Sequence, residues 1–300
     1  MKNTKSLLPA TLLFLLLVAN SYAQEKSTGN RITQTRNLSD FSFIKLEMSG
    51  TVYVQQGDQF SVTIEAASTL IDQITTTVSE RTLVIDNKNK NWSGASSIVK
   101  VYVELPLING LEVAGSGAIE AQTNLTSNLL SCKMGGSGII KLKEVAAGKI
   151  SLKLEGSGKI ALTKATAENA ILELHGSGNL SCENITAKLL AVTLDGSGDI
   201  TLPALATGKL YIQNTGSGSI RQLKGVAAEV LLENNGSGNI AAAELDGSSI
   251  SIVNAGSGNI AVGACETLNA QITGSGNIRY QGTPKNMRTN VTGSGTISSN

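Results

Sequence analysis

The sequence is poor in aromatic, cysteine and histidine side chains. Aromatic residues make up 3% of the 300 residues, which disfavours a globular core built on large rings. The three cysteines, Cys132, Cys182 and Cys265, form no CxxC pair, and the chain has a single histidine, His175. We therefore predict three buried free thiols, no disulfide framework, no metal site and no cofactor.

The sequence also lacks an excess of basic charge. The 24 lysines and arginines are scattered among 23 acidic residues. A nucleic-acid-binding surface requires a clustered basic excess, so no nucleic-acid partner is predicted.

The first residues have the pattern of a secretory signal peptide. Lys2 and Lys5 precede an apolar run over residues 7–19, and Ser21 and Ala23 place small residues before the expected cleavage point. Roughly 13 apolar residues are too few for a membrane-spanning helix, which needs about 20. We expect cleavage after Ala23, a polar N-terminal segment over residues 24–37, and no membrane span thereafter. The predicted location is the periplasm, the outer surface or the medium.

The most informative feature is an internal repeat of Gly-Ser-Gly. Ten copies recur at spacings of 18 to 21 residues, and an aliphatic residue follows each first glycine by four positions. The copies begin at Gly115, Gly136, Gly156, Gly176, Gly196, Gly216, Gly236, Gly256, Gly274 and Gly293.

Apolar and polar residues alternate on both sides of each glycine unit, as in Leu190, Val192 and Leu194 before Gly196. A period of two predicts strands, and two short strands per repeat describe one coil of a parallel β-helix. We predict an all-β, right-handed parallel β-solenoid with about 20 residues per coil. One domain covers residues 38–300, with irregular strands over 38–114 and the repeats over 115–300. The irregular part forms either wider coils or a capping sheet.

The glycines are expected at sharp corners between strands. Glycine enters positive φ without a steric penalty, and a side chain would block the stacking of one corner on the next. We expect both reasons to apply.

Several strand motifs resemble the head GIN domain family of auto-transporter adhesins, which is common in Bacteroidetes. The resemblance extends from about residue 38 to the end of the chain and implies an exported β-helical protein without assigned catalytic residues. It rests on Phe43-Ile44-Lys45, Val52-Tyr53-Val54, Thr82-Leu83-Val84-Ile85, Lys100-Val101-Tyr102-Val103 and the repeated Gly-Ser-Gly-Asn-Ile.

One group of charged residues raises an enzymatic alternative. Glu155, His175 and Asp195 each precede a glycine corner on successive repeats, so they should stack about 4.8 Å apart. Lys159, Asn179 and Asp199 lie across the same corners. Carboxylates and basic residues on one face could belong to a polysaccharide lyase or hydrolase. The other interpretation is a solvated face of alternating charge, and we predict a non-catalytic protein.

Two further columns are polar. Two residues before the corner, Asn214, Asn234 and Asn254 replace the leucines of earlier repeats, which predicts either a buried asparagine ladder or an exposed strand end. Three residues after each first glycine lies a column that we call the polar strip: Lys159, Asn179, Asp199, Ser219, Asn239, Asn259 and Asn277.

The polar strip is the predicted ligand surface. Its regularly spaced groups suit a cell-surface polysaccharide or an envelope protein, bound through many weak contacts. The alternative is that asparagine is there only because it tolerates the backbone beside a glycine turn. The solenoid ends could also join copies of the chain into a homo-oligomer.

Overall fold

A computed structural model describes residues 30–89 and 99–299. Strands dominate these residues, which contain one short 3-10 turn, Ile71–Gln73, and no α-helix. No helix in the described ranges is long and apolar enough to cross a membrane. The predicted signal peptide lies outside the described residues, as do residues 90–98.

Within the described residues, ten strands precede the second Gly-Ser-Gly unit, which begins at Gly136; the last two of them belong to the first repeat. They are β1 Arg31–Arg36, β2 Phe43–Leu46, β3 Thr51–Gln56, β4 Ser61–Ala67, β5 Ile74–Ser79, β6 Thr82–Asn87, β7 Lys100–Leu105, β8 Gly110–Val113, β9 Ala118–Ala121 and β10 Leu125–Met134.

Thirteen further strands lie in residues 139–299. They are β11 Ile139–Leu154, β12 Lys159–Leu174, β13 Asn179–Leu194, β14 Asp199–Thr201, β15 Leu205–Asn214, β16 Ile220–Arg221, β17 Lys224–Asn234, β18 Ile240–Ala242, β19 Glu244–Asn254, β20 Ile260–Ile272, β21 Ile278–Gln281, β22 Asn286–Val291 and β23 Ile297–Ser299.

The repeats stack as a parallel β-solenoid, as the sequence predicts. Leu152 pairs with Leu172, Leu172 with Val192, and Val192 with Ile212, so each step of 20 residues returns to the same column. Because each coil donates its ladder hydrogen bonds to its neighbours, the array is stable where a single coil would not be.

The coil is more continuous than expected. In β11, β12 and β13 one 16-residue strand replaces the two short strands predicted per repeat. In β12 the exposed pairs Thr163-Lys164 and Glu168-Asn169 mark two bends. The ladder continues around these bends because its hydrogen bonds run to the adjacent coil and not within the coil. Six side chains of this coil are buried: Ile160, Leu162, Ala165, Ala170, Leu172 and Leu174.

The N-terminal region combines the two arrangements that the sequence left open. Strands β2 and β3 form a parallel coil stacked on β8 and β9, and on their other side they pair with β6 and β7. Beyond these, β4 pairs antiparallel with β7, β1 with β4, and β5 with β6. Strand β1 lies inside the segment 24–37, to which the sequence analysis assigned no strand. Antiparallel strands therefore cover this end of the solenoid, where an open parallel edge would invite association.

The glycine corners correct one expectation. None of the Gly-Ser-Gly glycines has a positive φ, so the predicted conformational reason is wrong. The second expected reason is confirmed, because a Cβ on Gly196 would lie less than 3.0 Å from the carbonyl oxygen of Gly176 in the preceding coil. The same close approach recurs at the other stacked corners. Residues 47–50 form the first of these corners, since the amide of Ala118 donates to the carbonyl of Gly50 at 2.7 Å.

The cysteines are unpaired, as predicted, although only two of them are fully buried. Cys132 and Cys182 lie in the interior, whereas Cys265 is partly exposed. Burial raises the pKa of both Cys132 and Cys182 to about 12, so neither thiol ionises at neutral pH. These two cysteines act as small apolar core residues.

Candidate functional site

The polar strip runs along one face of the solenoid in strict register. Lys159 pairs with Asn179, and Asn179 pairs with Asp199. The next residue of each coil, such as Ile160 or Leu180, is buried, so the strip residues point outward. Their exposure varies, from the exposed Asn239 and Asn259 to Ser219, which is 8% exposed.

The C-terminal half of the strip forms a hydrogen-bonded ladder. The backbone amide of Asn259 donates to Oδ1 of Asn239 at 2.8 Å, and that of Asn277 donates to Oδ1 of Asn259 at 3.0 Å. Ser219 N donates in the same way to Oδ1 of Asp199 at 3.0 Å, and Asn239 N to Oγ of Ser219 at 3.2 Å. Each side chain thus satisfies the main chain of the following coil, a structural role that the sequence analysis did not foresee.

The predicted asparagine ladder is confirmed on the inner side of the same corners. Asn214, Asn234 and Asn254 are all 0% exposed. Nδ2 of Asn214 donates to Oδ1 of Asn234 at 3.0 Å, and Nδ2 of Asn234 donates to Oδ1 of Asn254 at 3.2 Å. The alternative of an exposed strand end is wrong.

The inner and outer ladders both arise where the hydrogen bonding at the glycine corners differs between the earlier and the later coils. In earlier coils the backbone amide of the strip residue donates to the carbonyl of the second corner glycine one coil before, as Asn179 does to Gly158 at 3.1 Å. In later coils the inner asparagine bonds that glycine carbonyl instead, as Asn254 Nδ2 does to Gly258 at 2.9 Å. The backbone amide of the strip residue then donates to a side-chain oxygen of the strip residue one coil before. We therefore interpret the asparagines of the inner column and of the polar strip as parts of one change, in which side-chain hydrogen bonds replace a backbone hydrogen bond between coils.

The stack that suggested an enzyme is present, and its side chains lie near ionisable neighbours. His175 Nδ1 lies 3.9 Å from Asp195 Oδ2, and its Nε2 lies 3.9 Å from Glu173 Oε2. Glu155 contacts Lys153 at 2.8 Å and Lys133 at 3.1 Å. Hydrogen bonds from Lys153 and then Lys133 hold the pKa of the Glu155 carboxyl below its ordinary value. These contacts match the predicted solvated face of alternating charge.

Lysine–glutamate pairs between coils continue this pattern over the surface. Examples are Lys164 with Glu144 at 3.3 Å and Lys224 with Glu244 at 2.8 Å. Exposed pairs of this kind contribute at most about 1 kcal/mol each. Among the residues that the structure describes, no three histidine, cysteine or acidic side chains converge as metal ligands.

The sequence analysis missed a groove on another face of the solenoid. A cavity of about 550 Å³ is lined by the outward side chains of Leu189, Lys209, Tyr211 and Leu231, together with Ser249 and Ser251. These residues occupy two outward columns at 20-residue steps. Reading the outward columns as carefully as the inward ones would have shown an aromatic residue beside leucines on a solvent face.

A family model matches residues 40–204 and 169–284 of the chain, and its description is "Putative auto-transporter adhesin, head GIN domain". The two matched ranges together include the irregular N-terminal strands and nearly all of the repeats. None of the curated proteins matches the chain.

Solved structures share the fold. A structure described as a putative adhesin from Parabacteroides distasonis has 22% identity and a TM-score of 0.57, and the match covers 91% of this chain and 98% of that one. A putative adhesin from Parabacteroides merdae has 19% identity and a TM-score of 0.56, with 91% and 97% covered. At these identities the likeness concerns the fold alone.

Proposed function

Because the chain belongs to the head GIN domain family of auto-transporter adhesins, we propose that it is an exported, non-catalytic, adhesin-like protein that binds a polymer of the cell envelope. The sequence of residues 1–23 supports export to the periplasm, the outer surface or the medium. The proposed ligand is an envelope polysaccharide.

One observation carries the proposal, namely the repetition of the same outward column on successive coils. Neighbouring strands of a sheet lie about 4.8 Å apart, so the solenoid presents equivalent polar groups at a short, constant interval. A polysaccharide offers hydroxyl donors and acceptors at constant intervals as well. Weak contacts at many coils then add up to useful avidity.

The polar strip is the proposed contact surface for this polymer. The Oδ1 atoms of Asn239 and Asn259 accept amides of the following coil. The Nδ2 groups of these two exposed side chains are therefore the atoms proposed to bind sugar hydroxyls.

The double variant Asn239→Asp, Asn259→Asp tests the strip. Aspartate keeps an oxygen that accepts the next backbone amide but lacks the Nδ2 donor, so the ladder should persist while the hydrogen bonds that Nδ2 donates to sugar oxygens are lost. We expect a folded protein whose thermal unfolding midpoint falls modestly, because two carboxylates one coil apart repel each other. Retention on immobilised envelope polysaccharide should fall by roughly ten-fold, because multivalent binding multiplies each lost contact.

The variant Asn239→Ala, Asn259→Ala is the matched comparison. It removes both the donor and the acceptor, so it should lower both stability and retention. Undiminished retention of the folded aspartate variant would exclude the strip as the contact surface. No retention of the wild-type protein would contradict the proposed function itself.

A further inference from the structure

The groove beside Tyr211 lies outside the polar strip and differs from it in chemistry. The strip consists of short polar side chains, whereas the groove combines an aromatic ring, aliphatic side chains, an ion pair and hydroxyls. A site of this mixed kind, with an apolar wall and a few placed polar groups, is the usual composition of a small-ligand site.

The apolar wall is formed by Tyr211, Leu231 and Leu189. Leu189 is 38% exposed, an unusual position for leucine in a strand whose other leucines are mostly buried. The hydroxyl of Tyr211 donates to Oε2 of Glu233 at 3.1 Å. Because that bond occupies the hydroxyl, the ring offers the groove chiefly its apolar surface, held in one orientation.

The polar side of the groove consists of an ion pair and two hydroxyls. Lys209 Nζ lies 2.8 Å from Glu229 Oε2, and both side chains are 63% exposed. Ser249 and Ser251, on the coil that follows Glu229 and Leu231, contribute hydroxyls. The neighbouring carboxylate of Glu233 adds negative charge, so an anionic ligand would be repelled.

We infer that this groove binds a neutral hexose unit of a polysaccharide, an inference that rests on the proposed function and adds a second site to it. A pyranose ring has an apolar C–H face and a rim of hydroxyls. Tyr211 and Leu231 match the apolar face, and Lys209, Glu229 and the two serines match the rim. The groove is open along its length, so it does not enclose an acyl chain in the way that a lipid site would.

The groove follows the solenoid axis over four coils, from Leu189 to Ser251. At about 4.8 Å per coil this length accommodates more than one sugar unit. A chain lying along the axis would keep its next units against the exposed columns of the adjacent coils. The site therefore suits an internal segment of a polymer and not only its end.

A glycan array of neutral hexose oligosaccharides tests the inference, with the protein applied at one concentration series. We expect wild-type binding, and a loss of roughly ten-fold or more in Tyr211→Ala, because truncating an aromatic anchor commonly has effects of that size. Tyr211→Phe keeps the ring and should stay within about two-fold of wild type.

Two further variants separate loss of the groove from a general loss of folding. Tyr102→Ala removes a tyrosine that is 41% exposed on a different face, and it should bind like wild type. Ser251→Ile places a β-branched side chain at an outward strand position, where the fold tolerates it, and should block the groove.

The outcomes separate this site from the proposed function. Wild-type binding that persists in both Tyr211→Ala and Ser251→Ile would overturn the groove while leaving polysaccharide binding intact. Binding of the wild type to acidic glycans only, or to phosphatidylcholine vesicles only, would overturn the neutral-hexose assignment. A wild type that binds neither the array nor envelope polysaccharide would overturn both proposals.

Discussion

Replacing Gly198 with alanine is expected to destabilise the protein by about 3 kcal/mol, the upper part of the range for overpacked interiors. The added Cβ would lie less than 3.0 Å from the carbonyl oxygen of Gly178. That oxygen belongs to the backbone of the preceding corner and cannot rotate away as a side chain can. Gly218 is stacked on the other side of Gly198 in the same manner, so the strain cannot be relieved by moving one coil.

Two other glycines provide matched controls. A Cβ on Gly135 would meet nothing within 4 Å, so Gly135→Ala should change stability by no more than about 0.5 kcal/mol. Gly282 has a φ of +76° and its nearest contact would be Ala264 Cβ at 3.5 Å, so Gly282→Ala isolates the effect of backbone conformation. The free energies of unfolding in urea of the three alanine variants then compare the cost of the steric clash at Gly198 with the cost of the positive φ at Gly282. Equal stability of Gly198→Ala and Gly135→Ala would refute the steric account of the corners.

The single replacement Asn234→Leu is expected to cost about 2 kcal/mol, because it leaves one buried group unpaired and weakens the bonding of a second. Oδ1 of Asn254 loses its donor, and Nδ2 of Asn214 keeps only the 3.4 Å bond to the carbonyl of Gly218; both side chains are 0% exposed. Water cannot replace the lost bonds without opening the corner. Leucine has a similar size, so the loss reflects hydrogen bonding more than packing.

The triple variant of Asn214, Asn234 and Asn254 to leucine is the informative comparison. It recreates the inner column of the earlier coils, where Leu154, Leu174 and Leu194 are buried. Replacing all three asparagines leaves no ladder amide unpaired and frees only the backbone groups that they bond at Gly216, Gly218 and Gly258. The triple variant should therefore lose less than three times the single loss. Additive losses in thermal and urea unfolding would contradict a cooperative ladder.

The solenoid and its inner ladder could be predicted because a fixed period places residues in columns. In most folds a contact between residues 20 positions apart must be found in space, whereas here the repeat length identifies it. The buried aliphatics and the pairing of Asn214 with Asn234 both follow from that single number. Local alternation then decides which columns point inward.

The remaining features depend on spatial detail that the period does not contain. The insertion of β2 and β3 between the neighbouring coils could not be predicted, because residues 38–114 have no constant repeat. The bonds from strip oxygens to the next backbone amide depend on the orientation of each peptide at the corner. The close approach of Gly198 to Gly178 O likewise appears only when the coil spacing and φ are known together. A sharp turn and a tight stack both select glycine, so the sequence alone does not distinguish them.

Size-exclusion chromatography with light scattering on a protein–polysaccharide mixture tests whether the protein binds an envelope polysaccharide without cleaving it. The protein should co-elute with the polymer, and the molar mass of the recovered polymer should be unchanged after prolonged incubation. A protein that elutes alone, or a polymer whose molar mass falls with time, would contradict binding without cleavage.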